Sequence, residues 1–166
     1  KHFITVADAS IPSVSEAALY GKGIFTTVSV EYERPLLWEK HWKRLRGNAA
    51  TQGIDISEHT QAAVYEALTV TITKNGLTRG RARITFFDET PGKIWTDGND
   101  RRQATLFIVT ADRRVIPDDF KLTFSPHRVN TTSPLAGVKS CNYLEPQMAF
   151  EEAGARGFDE AVRVNE

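Results

Sequence analysis

The chain has 166 residues, 40% of them hydrophobic and 25% charged, enough to bury one sizeable core or two small ones. Its 21 basic and 21 acidic residues cancel to zero formal charge, which argues against a nucleic-acid-binding surface as the main function. The longest strongly apolar run, Leu106 to Val109, is too short to span a bilayer, and the single cysteine, Cys141, excludes an intrachain disulfide and suits a reducing cytoplasm.

Phe3 to Val6 reads as a short strand and Asp8 to Val14 as a loop. Ser15 to Tyr20 then approaches Gly21-Lys22-Gly23, two glycines that permit close backbone approach or positive φ. β-formers predict a strand over Ile24–Tyr32, and the turn Glu33-Arg34-Pro35 predicts its return as a second strand over Leu36–Trp38. A helix is expected over Glu39–Gln52, stopped by Gly53, with Trp42, Leu45 and Ala49 on its buried face. His41 and Arg44 share a neighbouring face. A guanidinium beside a buried seam needs an acceptor, either a carboxylate or a phosphate, whose oxygens match its fork.

Ser57 reads as the N-cap of a second helix running to Lys74, with Val64, Leu68 and Ile72 inward. The strand Arg81–Phe87 alternates Ala82, Ile84 and Phe86 against Arg81, Arg83, Thr85 and Phe87. Arg83 is either a ladder charge or a ligand for a substrate carboxylate. Ala104–Thr110 has the apolar run of a central strand, and Asp88–Arg102 reads as an exposed loop carrying Trp95. We read 1–113 as an N-terminal α+β domain, 114–119 as a linker and 120–166 as the start of a second, larger, β-rich domain. In that last part Phe120–Pro126 is a strand, His127–Val138 a long polar loop, and Asn142–Arg156 a helix stopped by Gly157. The segment from Phe158 to Glu166 looks like a strand newly begun without a partner, as expected of the front part of a longer chain. Lys139 ends the polar loop among Gly137, Val138, Ser140, Cys141 and Asn142. A lysine with no charged neighbours can be partly desolvated, leaving its amine available as nucleophile or base; the alternative is an ordinary loop lysine.

Three motifs in order, Tyr20-Gly21-Lys22-Gly23-Ile24-Phe25, His41-Trp42-Lys43-Arg44-Leu45 and Leu135 to Leu144 around Lys139, resemble the class IV aminotransferases. These are pyridoxal-phosphate enzymes of fold type IV, and they include branched-chain and D-amino acid aminotransferases and aminodeoxychorismate lyases. The resemblance implies that Lys139 forms a Schiff base with pyridoxal 5'-phosphate and that Arg44 binds its phosphate. It implies that Tyr20 and Phe25 line the substrate pocket, and that the intact protein is a cytoplasmic homodimer acting on an amino acid or keto acid. Phe25-Thr26-Thr27 and the Asn142 that follows the lysine look more like the lyases and D-amino acid aminotransferases than the branched-chain enzymes. A branched-chain aminotransferase, or a non-catalytic relative that uses the fold for binding, is the alternative. The family's further cofactor contacts, an acidic partner for the pyridine nitrogen among them, belong to sequence beyond Glu166.

Overall fold

The computed structural model describes residues 3–92, 94–95 and 104–165. Of the expected loop at 88–102, positions 93 and 96–102 lie outside the described residues, while Trp95 is exposed. The chain divides into two compact units. The first runs to Arg113 and also takes in Lys139–Cys141; the second holds Arg114–Val138 and the chain from Asn142 onward.

In the first unit a short helix, α1 (Glu16–Tyr20), starts at Ser15, whose side chain accepts a hydrogen bond from the Ala18 amide at 3.2 Å. Gly21 closes it in the left-handed conformation, at φ 65°. β1 (Gly23–Glu31) follows. Tyr32 and Glu33 both take positive φ, the twist that a two-residue hairpin demands. The return strand β2 is therefore Arg34–Pro35, and the expected strand over Leu36–Trp38 does not form. Leu37, at φ 53°, instead turns the chain into α2 (Trp38–Gln52).

α3 (Gln61–Lys74) begins later than Ser57 suggested. Thr60 caps it by accepting from the Ala63 amide at 3.1 Å, while the Ser57 amide donates to Asp55 in a local turn. β3 (Arg79–Phe87) and β4 (Thr105–Asp112) complete an antiparallel sheet of order β2-β1-β3-β4. β4 is thus an edge strand rather than the central one its apolar run suggested. Its residues are at most partly buried.

Strand alternation sorts the two faces. Ile24, Thr26, Val28 and Val30 of β1, with Ala82, Ile84 and Phe86 of β3, are fully buried toward the helices. There the apolar ones pack with Leu45 and Ala49 of α2 and with Val64, Leu68 and Ile72 of α3. Phe25, Thr27, Arg83 and Thr85 face the other way.

The second unit contains β5 (Leu122–Phe124), α4 (Leu144–Ala155) and β6 (Glu160–Val162). β6, which had no partner in view from sequence, pairs in parallel with β5. The helix begins two residues later than expected. Arg163 ties this unit internally, donating from Nε to the His127 carbonyl at 3.0 Å and from Nη2 to Glu145 at 2.8 Å.

Candidate functional site

Lys139 does not hang in a loop. Its carbonyl accepts from the Phe25 amide at 3.0 Å, and the Cys141 amide donates to the Gly23 carbonyl at 2.8 Å. Ser140 pairs antiparallel with Ile24 between them. Three residues thereby extend the sheet along the edge of β1, at the end of that strand remote from β2. The two-residue period decides where their side chains go. Ser140, opposite Ile24, is buried toward the core. Lys139 and Cys141 fall on the outer face with Phe25 and Arg83.

Gly23 makes that docking possible. A Cβ there would lie 3.0 Å from both the Cys141 sulfur and the Phe86 carbonyl oxygen. Of the two functions the sequence allowed its glycines, Gly21 therefore serves positive φ and Gly23 close approach.

On the outer face the Phe25 ring, only 3% exposed, is shared by two cations. The Lys139 amine lies 4.5 Å from its centroid and the Arg83 guanidinium carbon 3.6 Å. Arg83 Nε also donates to Thr85 Oγ1 at 3.3 Å, and Arg83 hydrogen-bonds the Cys141 thiol. Burial pushes that thiol above its usual range, and the Arg83 charge and hydrogen bond offset only part of the rise. Cys141 therefore stays protonated at neutral pH, so this face holds cations with no thiolate to neutralise them.

The helix side of the same strand carries the second group. Arg44 Nη2 donates a short hydrogen bond to Thr26 Oγ1, and Thr26 Oγ1 lies 2.7 Å from His41 Nδ1. Arg44 Nη2 is itself 3.1 Å from that nitrogen. Burial, and then the Arg44 charge, hold the His41 pKa below 6.5, which keeps the imidazole neutral at pH 7. Among the described residues no carboxylate pairs with Arg44, so the rest of its fork remains for an oxyanion.

Lys139 and Arg44 thus contact adjacent residues of one strand, Phe25 and Thr26, whose side chains point to opposite faces of the sheet. Tyr20 is 46% exposed at the end of α1, and among the described residues no hydrogen bond or ring contact joins it to the other three. It stands one residue before Gly21, in a connection anchored by Lys22. The Lys22 amine pairs with Asp88 Oδ2 at 2.9 Å, and the Ala17 amide donates to the Asp88 carbonyl at 2.8 Å. A groove of 920 Å³ in this unit runs between residues 3–11, α3 and β4 and includes none of the four expected site residues. Chemistry rather than that groove defines the candidate site. Among the described residues no group of three or more His, Cys, Asp or Glu could hold a metal ion, and no helix is long and apolar enough to cross a membrane.

The family model for amino-transferase class IV matches residues 23–166, from the first residue of β1 onward. The chain belongs to the class IV aminotransferases. Members of this family use pyridoxal 5'-phosphate. Solved structures share the fold. A provisionally named 4-amino-4-deoxychorismate lyase from Legionella pneumophila is 26% identical with a TM-score of 0.81, covering 96% of this chain and 58% of its own. A branched-chain aminotransferase from Thermoproteus uzoniensis, solved with norvaline, is 23% identical with a TM-score of 0.79, covering 98% and 57%. A T.th. branched-chain amino acid aminotransferase, solved with pyridoxamine 5'-phosphate, is 20% identical with a TM-score of 0.81, covering 99% and 57%. A search of curated proteins returns no match. The chain spans a little under three fifths of the length of these class IV structures.

Thr26 and Cys141 were not singled out from sequence as parts of the arrangement at β1. A signal for Thr26 existed, since it shares a strand face with Ile24 and Val28, where a hydroxyl needs a partner.

Proposed function

We propose that this chain carries the reactive lysine and one phosphate ligand of a pyridoxal-phosphate enzyme that acts on an amino acid or an amino-acid-like amine. The observation that carries the reading is Lys139, held by backbone pairing against Phe25 with its amine over that ring. Backbone pairing fixes the base of the side chain, while four methylene groups leave the amine able to swing. Such an amine can attach to an aldehyde, be displaced by a substrate amine, and then move a proton at the substrate Cα. Arg44, steadied by Thr26 and His41, suits the phosphate. When bound, the cofactor supplies an electron sink for the pair left behind by that proton.

Arg83, beside Lys139 on the outer face, is the group suited to a substrate carboxylate. Phe25 forms the floor between the two cations, and Tyr20 is assigned to the rim of the substrate pocket. A protonated Cys141 adds no competing anion.

Phe25-Thr26-Thr27 favours the lyase or D-amino acid aminotransferase side, and the likeness to the Legionella protein supports the lyase-type reading, in which the substrate eliminates a leaving group. Transamination of branched-chain amino acids is the competing outcome. We take the working protein to be a cytoplasmic homodimer.

The test uses the full protein. Pyridoxal 5'-phosphate should produce an absorption band at roughly 410–430 nm, in the range of a lysine adduct. Borohydride reduction followed by peptide mapping should then find the label on Lys139. A label on another lysine, or none at all, would refute the assignment. Aminodeoxychorismate assayed beside L- and D-amino acids with 2-oxoglutarate then separates lyase from transaminase.

A further inference from the structure

We propose that Thr26 is the positioning residue for the oxyanion-binding arginine: its buried hydroxyl holds Arg44 in place and does so by pairing with a neutral His41. The inference rests on the reading of Arg44 as a phosphate ligand and adds to it the residues that orient the guanidinium.

Proton inventory makes the arrangement specific. Arg44 can only donate, so Thr26 Oγ1 must accept from Nη2. The hydroxyl then has its own proton to give, and the nearest acceptor is His41 Nδ1 at 2.7 Å. That nitrogen must carry no proton, which places the imidazole hydrogen on Nε2. A bare Nδ1 also suits the approach of Arg44 Nη2 to 3.1 Å, which a protonated nitrogen would oppose. The three side chains therefore hold one net positive charge rather than two.

Thr26 is 0% exposed and lies on a central strand of the sheet, whereas Arg44 is an exposed residue of α2 and His41, one turn before it, is half-buried. The rigid partner orients the mobile one. A long exposed arginine loses rotamer freedom on binding an anion, and a tether to a buried hydroxyl reduces that loss in advance. Valine in place of Thr26 would keep the volume and β-branching while removing both hydrogen bonds. Serine would keep the hydroxyl and drop only a methyl.

The experiment measures the dissociation constants of pyridoxal 5'-phosphate and of phosphate-free pyridoxal for the full protein and for Thr26→Val, Thr26→Ser and Arg44→Met. Thr26→Val is expected to weaken the phosphorylated ligand about tenfold, the order of a charge-assisted hydrogen bond, with pyridoxal unchanged and Thr26→Ser close to the parent. In nitrogen-15 NMR the Nδ1 resonance of His41 should move in Thr26→Val and stay near its parent position in Thr26→Ser. If Thr26→Val loses both ligands equally, or keeps both, the positioning role is overturned. Serine behaving like valine would overturn it as well. Arg44→Met separates the two levels. If it leaves the preference for the phosphorylated ligand intact, the reading of Arg44 itself fails; if it abolishes that preference while Thr26→Val does not, only the role of Thr26 fails.

Discussion

At the scale of single residues, Lys139, Phe25, Arg83 and Cys141 form a small electrostatic system whose members restrain one another. The two cations share one aromatic ring. Burial is the larger influence on Cys141 and Arg83 the smaller, opposing one, so the thiol should resist alkylation. Measured against pH, the iodoacetamide reaction of Cys141 should have its midpoint above that of the same cysteine in the denatured chain. A midpoint at or below the denatured value would mean that Arg83 outweighs burial. Removing Arg83 as Arg83→Met should move the midpoint further upward. Gly23 belongs to the same system by subtraction, since the absence of a Cβ there admits Cys141 and keeps the lysine on this face.

At the scale of elements, the connection between α1 and β1 depends on Asp88 at the end of β3. Burial pushes the Asp88 carboxyl up, but hydrogen bonds from Thr90 and Lys22, together with the Lys22 charge, outweigh it and leave the pKa lowered. Between the folded and unfolded pKa values the unfolded chain binds more protons, so stability rises with pH across that window. The contribution is therefore complete above about 3.9 and is lost as the pH falls through the lower folded value. Acid unfolding of Asp88→Asn followed by circular dichroism should show a shallower dependence on pH than the parent below pH of about 4. Parallel curves would remove Asp88 from the account.

The same scale shows what sequence can and cannot convey. The inward faces of α2 and α3 are legible because Leu45, Ala49, Val64, Leu68 and Ile72 repeat at helical spacing. Arg44 and Lys139 are singled out as candidates by ordered motifs. The hairpin is legible, but the place of its turn is not, because that turn depends on Tyr32 and Glu33 at positive φ, which neither residue type advertises. The edge position of β4 is hidden too, since an apolar run reports burial on two faces and not the order of strands in a sheet. The pairing of Ser140 with Ile24 joins distant parts of the chain, and no local pattern encodes that.

At the scale of the molecule, the main hydrophobic cluster of the first unit spans Ile24 to Ala104, with Leu106 and Ile108 packed against it, yet its sheet edge is completed by Lys139–Cys141. A fragment of residues 1–113 should therefore fold but lack the two backbone hydrogen bonds that Lys139 and Cys141 make with Phe25 and Gly23. Hydrogen exchange provides the check. The Phe25 amide should be protected in the full chain and exchange faster in the fragment, while Ile84 and Phe86 remain protected in both. Equal protection of Phe25 would show that the edge needs no help from the lysine segment.

Ile24 and Ser140 meet across on the order of a hundred residues of chain, a long loop to close beside the local helices and hairpins. The sheet and its two helices can form before that loop closes, and the amine arrives afterwards. A polypeptide emerging from the ribosome would then carry a finished scaffold, Arg44 and Arg83 included, that still lacks its amine. Reactivity would be the last property the fold acquires, and the first one a loosened chain gives up.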